Sequence, residues 1–196
     1  SPGYVSRVAA KFANNGSGVR GDMKAVIRAV LTDTDARDQA IAQGAGYGKL
    51  REPAVRFGNL MRTFHATAAS GRYSFWTLGD PLYGVNQQPL SSPTVFNFYS
   101  PDFSPQGAVG ANGLVGPEFE ITTSTAIVTT SNNIKNAITG GWGSGADAMV
   151  LDYAALAPLA ASPDQIVDYL RLVMGNGVMT PTTYTQMVSA VGLIPQ

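Results

Sequence analysis

The sequence predicts an all-α protein in which roughly six helices pack around a long irregular segment. Apolar residues recur at three- and four-residue steps in several stretches, as they do on the buried face of a helix. Capping residues followed by proline mark the starts of several of these stretches. Residues 71–116, by contrast, contain too many prolines and glycines for regular structure. Because 44% of the 196 residues are hydrophobic, we expect one helical domain over residues 1–196.

Two helices are predicted near the N-terminus. The first is short and ends at the turn-forming residues 14–18. The second runs from about residue 21 to residue 31, with Asp22 near its start. Its apolar stripe comprises Met23, Val26, Ile27, Val30 and Leu31. Residues 32–49 are predicted to be a loop, since glycines at positions 44, 46 and 48 interrupt any regular pattern.

An acidic cluster opens this predicted loop. The run from Asp33 through Asp35 to Asp38 superficially resembles the start of a calcium-binding loop. The glycine and the glutamate that such a loop needs at its sixth and twelfth positions are absent. We therefore interpret the cluster as a solvated helix end and expect no metal site there.

A third helix is predicted to begin at Glu52 and Pro53, because proline suits the first helical turn and a carboxylate suits the positive helix end. Arg51 and Glu52 are candidate binding residues, although internal ion pairing is the commoner role for such charges. The only histidine, His65, is placed on the same helix in a structural or surface role. The buried face of this helix is expected to comprise Val55, Phe57, Leu60, Met61 and Phe64.

The irregular segment 71–116 contains a strap, residues 93–105, in which four aromatic residues alternate with prolines and small polar residues. The prolines stiffen the backbone, so we expect the strap to be ordered. Two hypotheses remain open. The rings fill gaps between helices, which we favour, or some of them line a groove for a peptide or a glycan. The candidate binding residues in the strap are Asn97, Tyr99 and Asp102.

Three more helices are predicted in the C-terminal half. Residues 117–138 are rich in threonine, which favours strands, but their apolar positions follow helical steps, so we predict a helix. Residues 140–145 form a glycine-rich connector. The last two helices are expected to start after the capping hydroxyls of Ser162 and Thr180, each followed by proline, and Gly175 is expected to end the first of them.

The composition excludes several classes of protein. The 13 basic and 13 acidic residues balance and are scattered, so nucleic acid is not expected as a partner. The absence of cysteine excludes disulfides, thiolate metal sites and cysteine nucleophiles. No apolar run is long enough to span a bilayer. We expect no cofactor and no metal. The low charged content of 13% is common in secreted or periplasmic proteins.

Four segments, in this order, resemble one bacterial family, domain of unknown function 1800 (DUF1800). The segments are GSGVRGD at residues 16–22, YGKLREP at residues 47–53, PTVFNFYSPDFSPQG at residues 93–107 and GLVGPEF at residues 113–119. The resemblance covers most of residues 1–140. It implies a mostly helical, exported protein, periplasmic or secreted, of which this chain is a C-terminal portion that stops before one further apolar helix.

The leading hypothesis is an extracytoplasmic binding or assembly protein with no chemistry in this segment. The resemblance implies two possible partners: another exported protein of the family of unknown function 1501 (DUF1501), whose genes often neighbour those of DUF1800, or the missing N-terminal region of the same protein. The alternative is an exported hydrolase that acts on a polymer through paired carboxylates. The candidate carboxylates are Glu52, Asp80, Asp102 and Glu118. A third hypothesis is a stable fragment with exposed apolar surface that the rest of the protein covers.

Overall fold

The computed structural model of the protein describes residues 1–44, 48, 50–75 and 77–194. This part of the chain is mostly helical, which confirms the all-α prediction. The α-helices are α1 (Pro2–Ala13), α2 (Met23–Thr32), α3 (Thr34–Arg37), α4 (Gln39–Ala42), α5 (Pro53–Thr63), α6 (Ala108–Ala111), α7 (Ser124–Gly140), α8 (Pro163–Gly175) and α9 (Pro181–Gly192). Two short strands, β1 (Thr67–Ala68) and β2 (Met149–Val150), pair antiparallel with Thr67 opposite Val150. The six longer helices correspond to the six predicted from the sequence.

The chain divides into two compact units, Ser1–Lys49 and Leu50–Gln196. The first unit contains α1 to α4, and the second contains the remaining helices and both strands. The expectation of one domain over residues 1–196 stays a prediction. Two residues of the segment 47–53 that carries part of the family resemblance, Tyr47 and Lys49, lie outside the described residues.

In the first unit, the predicted loop 32–49 contains two single-turn helices, which corrects the sequence interpretation. The carboxylate of Asp33 accepts the N–H of Asp35 at the start of α3, and that of Asp38 accepts the N–H of Ala40 at the start of α4. Short acidic side chains are good N-caps, so these residues begin helices where composition alone indicated a loop. Asp22, which the sequence places near the start of α2, caps that helix in the same way.

One arginine binds two of the three aspartates in the acidic cluster of this unit. The guanidinium of Arg7 on α1 donates to both carboxylate oxygens of Asp33, at 2.7 and 2.6 Å, and to Asp35 at 3.1 Å. This bidentate contact lowers the pKa of Asp33 to about 2. The cluster therefore ties α1 to the junction of α2 and α3 instead of being only a solvated helix end.

The core of the second unit forms around α5. Phe57, Leu60, Met61 and Phe64 are buried as predicted, but Val55 is exposed. Val55 precedes Phe57 by two residues, or about 200° of helix rotation, so it lies on the opposite face. The other buried members of this core are Leu78, Val85, Ala137, Trp142, Met149 and Leu151.

The ends of α5 and α7 differ in detail from the sequence prediction. Helix α5 ends at Thr63, and His65 follows it in a positive-φ turn with φ of 42° instead of lying on the helix. The predicted helix 117–138 opens with a 3₁₀ turn at Pro117–Phe119, and α7 begins only at Ser124. Thr123 caps α7 by accepting the N–H of Ala126 at 3.1 Å, which sets that start.

The caps of the last two helices are partly as predicted. The hydroxyl of Thr180 accepts the N–H of Thr183 at 3.2 Å and caps α9. Ser162 forms no side-chain cap at the start of α8. The left-handed residue that terminates α8 is Asn176, with φ of 52°, and not Gly175, because asparagine also tolerates this conformation.

Candidate functional site

Glu52, Gln87 and Tyr99 form a polar cluster at the start of α5, called here the Glu52 cluster. Glu52 occupies the N-cap position, but its side chain caps no helical N–H. Its carboxylate instead accepts hydrogen bonds from the hydroxyl of Tyr99, at 2.8 Å, and from the amide nitrogen of Gln87. One carboxylate thus joins the helix, the loop around residue 87 and the strap.

Gln87, and not Glu52, provides the side-chain cap at the start of α5. Its amide oxygen accepts the backbone N–H of Ala54 at 3.0 Å, while its amide nitrogen donates to Glu52. Only 3% of Gln87 is exposed, so both ends of its amide need partners inside the protein. The Glu52 cluster satisfies both ends, which makes it a closed network of hydrogen bonds in the described residues.

The surroundings of Tyr99 keep its phenol protonated. Burial raises the pKa of Tyr99, and the hydrogen bond to Glu52 and the negative charges of Glu52 and Glu118 raise it further. A hydrogen bond from Asn97 acts in the opposite direction. Because the hydroxyl stays protonated, it remains a donor to Glu52 across the ordinary pH range.

The strap is held at several further points. The backbone N–H of Ser100 donates to the carboxylate of Glu120 at 2.5 Å. The N–H of Gly116 donates to the carbonyl of Phe103 at 2.8 Å, and Asn97 closes a tight turn by donating its N–H to Thr94 at 3.2 Å. Asn97 has φ of 72°, a conformation that asparagine adopts more readily than most residues. The strap is therefore ordered, as predicted.

The strap supports the gap-filling hypothesis that we favoured from the sequence only in part. No residue from 93 to 105 is buried. Val95 is 95% exposed and Phe96 is 62% exposed, while Phe98, Tyr99 and Phe103 are half-buried. The turn at residues 94–97 places Val95 and Phe96 at its tip, and the base of the strap carries the fastening bonds. We call Val95 and Phe96 the strap tip.

The structure brings together three of the five candidate binding residues. Glu52 and Tyr99 share a hydrogen bond, and Asn97 acts on the same phenol. Arg51 and Asp102 are exposed, and neither side chain forms a hydrogen bond or an ion pair with another described residue. A binding role for these five residues stays a prediction.

Sequence reasoning missed Gln87 and Glu120, although both fasten the irregular segment. Gln87 lies in the polar run Asn86-Gln87-Gln88, and nothing in that run marks the middle residue as the buried one. Its partners, Glu52 and Ala54, are 35 and 33 residues away in the chain. Only a signal from tertiary contacts would have identified it.

The candidate carboxylates of the hydrolase hypothesis are in different surroundings. Asp80 accepts the backbone N–H groups of Leu82 and Tyr83 at 2.7 and 2.9 Å, so it organises a turn. Asp102 is exposed. Glu52 and Glu118 are both close enough to Tyr99 to raise its pKa.

None of the described helices combines the length and the apolar character needed to cross a membrane. Comparisons with curated proteins and with solved structures give no significant match. The family model described as "Protein of unknown function (DUF1800)" matches residues 1–195. That match covers nearly the whole chain and includes all four segments that carry the resemblance. The chain therefore belongs to the DUF1800 family.

Proposed function

We propose that the protein is a binding or assembly protein that works outside the cytoplasm and docks onto another exported protein through the strap tip. The observation that carries the proposal is the exposure of two adjacent apolar side chains, Val95 at 95% and Phe96 at 62%. Contiguous exposed apolar surface marks interaction sites, and Val95 and Phe96 place two such side chains next to each other. An aromatic anchor at such a place is typical of the residues that dominate binding energy.

The fastening of the strap supports this role. The base of the strap is bonded to Glu52 through Tyr99 and to Glu120 through Ser100, close in sequence to the tip. A loop that is already ordered loses little conformational entropy when a partner binds it. The Glu52 cluster would then act as a support for the tip, with no part in chemistry.

The partner that we propose is an exported protein of the DUF1501 family, whose genes often lie beside those of DUF1800. The proposal of an extracytoplasmic location is supported by the low charged content of 13% and by membership of the family. Docking onto an N-terminal region of the same protein is the competing outcome of the experiment below.

Co-purification tests the docking role. The full-length DUF1800 protein would be expressed with the DUF1501 protein encoded beside it, and the complex isolated through a tag on one of them. We expect a complex that the double variant Val95→Asp, Phe96→Asp abolishes, because two charges would replace the apolar contact. The matched control is Leu172→Asp, which adds a charge at an exposed apolar position on α8 and should leave the complex intact.

Two results would contradict the proposal: no complex with the unsubstituted protein, or equal loss with the strap-tip variant and the control. If the strap-tip variant instead changes the hydrogen exchange of the protein's own N-terminal region, the strap docks internally. Fractionation of cells that express the full-length protein tests the location, and recovery with cytoplasmic markers would refute it.

A further inference from the structure

A cleft of about 300 Å³ lies in the second unit, and none of its described lining residues belongs to the strap. It is lined by the loop that contains Thr77 and Tyr83, by the middle of α7, and by the connector that follows α7. None of the described residues that line it is a lysine, arginine, histidine, aspartate or glutamate. Its polar residues are Thr77, Tyr83, Asn133, Asn136, Trp142 and Ser144.

One wall of the cleft is fixed by Asn133. Its amide nitrogen donates to the carbonyls of Leu82 and Gly84, at 3.0 and 2.8 Å, and so attaches the loop to α7. The loop backbone folds closely on itself at Gly84, where a Cβ atom would lie 2.2 Å from the carbonyl oxygen of Thr77. Only glycine fits there, so this wall is shaped by the backbone as well as by the side chains.

The opposite wall is equally fixed. Gly141 has φ of 84°, and a Cβ atom at this position would lie 2.7 Å from the carbonyl oxygen of Met149. Trp142 exchanges two backbone hydrogen bonds with Met149, at 2.8 and 2.7 Å, and its ring packs edge-on against Phe57 at 4.5 Å. The cleft is therefore formed before any ligand arrives, which lowers the entropic cost of binding.

Several polar groups of the cleft lack partners among the described residues. The indole N–H of Trp142 is buried and forms no hydrogen bond. Asn133 uses its amide nitrogen in the wall, which leaves its amide oxygen as an acceptor. The side chain of Asn136 forms no hydrogen bond with a described residue, so it offers both a donor and an acceptor.

Tyr83 adds an aromatic surface at the cleft. It is 70% exposed, so a face of its ring is open to a ligand. Neutral amides and hydroxyls beside an open aromatic ring suit a ligand that has hydroxyl groups at its edge and C–H groups on its face. A charged ligand would find no counter-charge among the described residues of this lining and would lose its hydration without compensation.

We propose that this cleft binds a neutral saccharide unit. The amides of Asn133 and Asn136 bond the sugar hydroxyls, and the ring of Tyr83 packs on the C–H face of the sugar. The site shares no residue with the strap tip, so this proposal and the docking role proposed above are tested independently.

Isothermal titration calorimetry with three neutral probes, maltotriose, cellotriose and N,N′,N″-triacetylchitotriose, tests this proposal on the same chain. We expect at least one of them to bind with a dissociation constant on the order of 1 mM or tighter. Tyr83→Ala should weaken that probe about tenfold, because it removes the aromatic contact. Asn136→Ala should weaken it several-fold. Both residues are exposed, so neither substitution threatens the fold.

The matched control is Tyr73→Ala, which removes an exposed tyrosine that lines a different cleft. It should leave the affinity unchanged. The absence of heat with all three probes at about 10 mM would overturn the proposal. It would also be overturned if the control weakened binding as much as Tyr83→Ala, or if the neutral peptide Ala-Pro-Ala bound more tightly than every saccharide. Thermal melting of each variant confirms that a lost signal is not lost folding.

Discussion

Aromatic side chains occupy opposite surroundings in two regions of the second unit. Around α5, Phe57 is 1% exposed and packs on the rings of Phe75 and Trp142, at 6.1 and 4.5 Å. In the strap, Phe96 is largely exposed, although the strap also contains several aromatic residues. The strap is held by hydrogen bonds to Glu52 and Glu120, and its rings are at most half-buried. A segment can therefore be ordered without burying its rings fully. Only a buried ring contributes strongly to the free energy of unfolding.

Phe57→Ala should have the largest effect in this comparison. It removes a fully buried ring from the centre of the core and should lower the free energy of unfolding by about 3–5 kcal/mol. Urea denaturation followed by circular dichroism measures the change. Phe57→Leu, which keeps most of the volume, should cost clearly less. A loss below about 1 kcal/mol for the alanine variant would show that the ring is not part of the core.

Glu52→Ala should have the next largest effect. The substitution leaves the buried amide of Gln87 and the hydroxyl of Tyr99 without their acceptor. Unsatisfied buried groups cost about 1–3 kcal/mol, so the free energy of unfolding should fall by that amount. Asp102→Ala removes an exposed carboxylate of the same strap region and should change stability by less than about 0.5 kcal/mol. Equal effects of the two variants would contradict the role of the Glu52 cluster.

Tyr99→Phe should have a smaller effect that depends on pH. Near neutral pH the lost hydrogen bond should cost about 1 kcal/mol. The pKa of Tyr99 is raised in the folded protein by burial and by Glu52. Its contribution is therefore fully present below the unfolded pKa, about 10, and is lost as the pH rises through the folded pKa. Denaturation curves from pH 8 to pH 11 should show the wild type and the variant converging. A constant difference would exclude ionisation of Tyr99 as the cause.

Phe96→Ala should have the smallest effect on stability. The ring is exposed, so its removal should change the free energy of unfolding by less than about 0.5 kcal/mol. The same variant should weaken the proposed complex, because the ring is expected to be its anchor. This one substitution therefore distinguishes a strap ring from a core ring most clearly. Denaturation measures its effect on stability, and co-purification measures its effect on the complex. A stability loss above about 1 kcal/mol would place Phe96 among the packed rings.

The long helices could be predicted from the sequence because their signals are local. Apolar spacing and a proline in the first turn located α5, α8 and α9, and the capping residue Asp22 located the start of α2. Burial in the strap could not be predicted this way. Without a regular period, composition counts the aromatic rings but does not say which of them face solvent.

The candidate site was predictable only in part, for a related reason. Glu52 and Tyr99 stood out by residue type and position, but their contact spans 47 residues of chain. The role of Gln87 depends on partners at a similar distance. The exposure of Val55, by comparison, follows from helix geometry and was available from the sequence. Local helix geometry could thus be predicted from the sequence, whereas hydrogen bonds between residues far apart in the chain could not.

The capping of α5 by Gln87 has a consequence for the order of folding. Most helices are capped by an adjacent residue, so their first turn can form as soon as the helix nucleates. Here the acceptor of the Ala54 N–H lies 33 residues later in the chain. Closing a loop of that length costs conformational entropy before the contacts that stabilise it have formed. The first turn of α5 is therefore completed late, together with the irregular segment that follows it. The exchange of the Ala54 amide with deuterated solvent then reports whether that segment has folded.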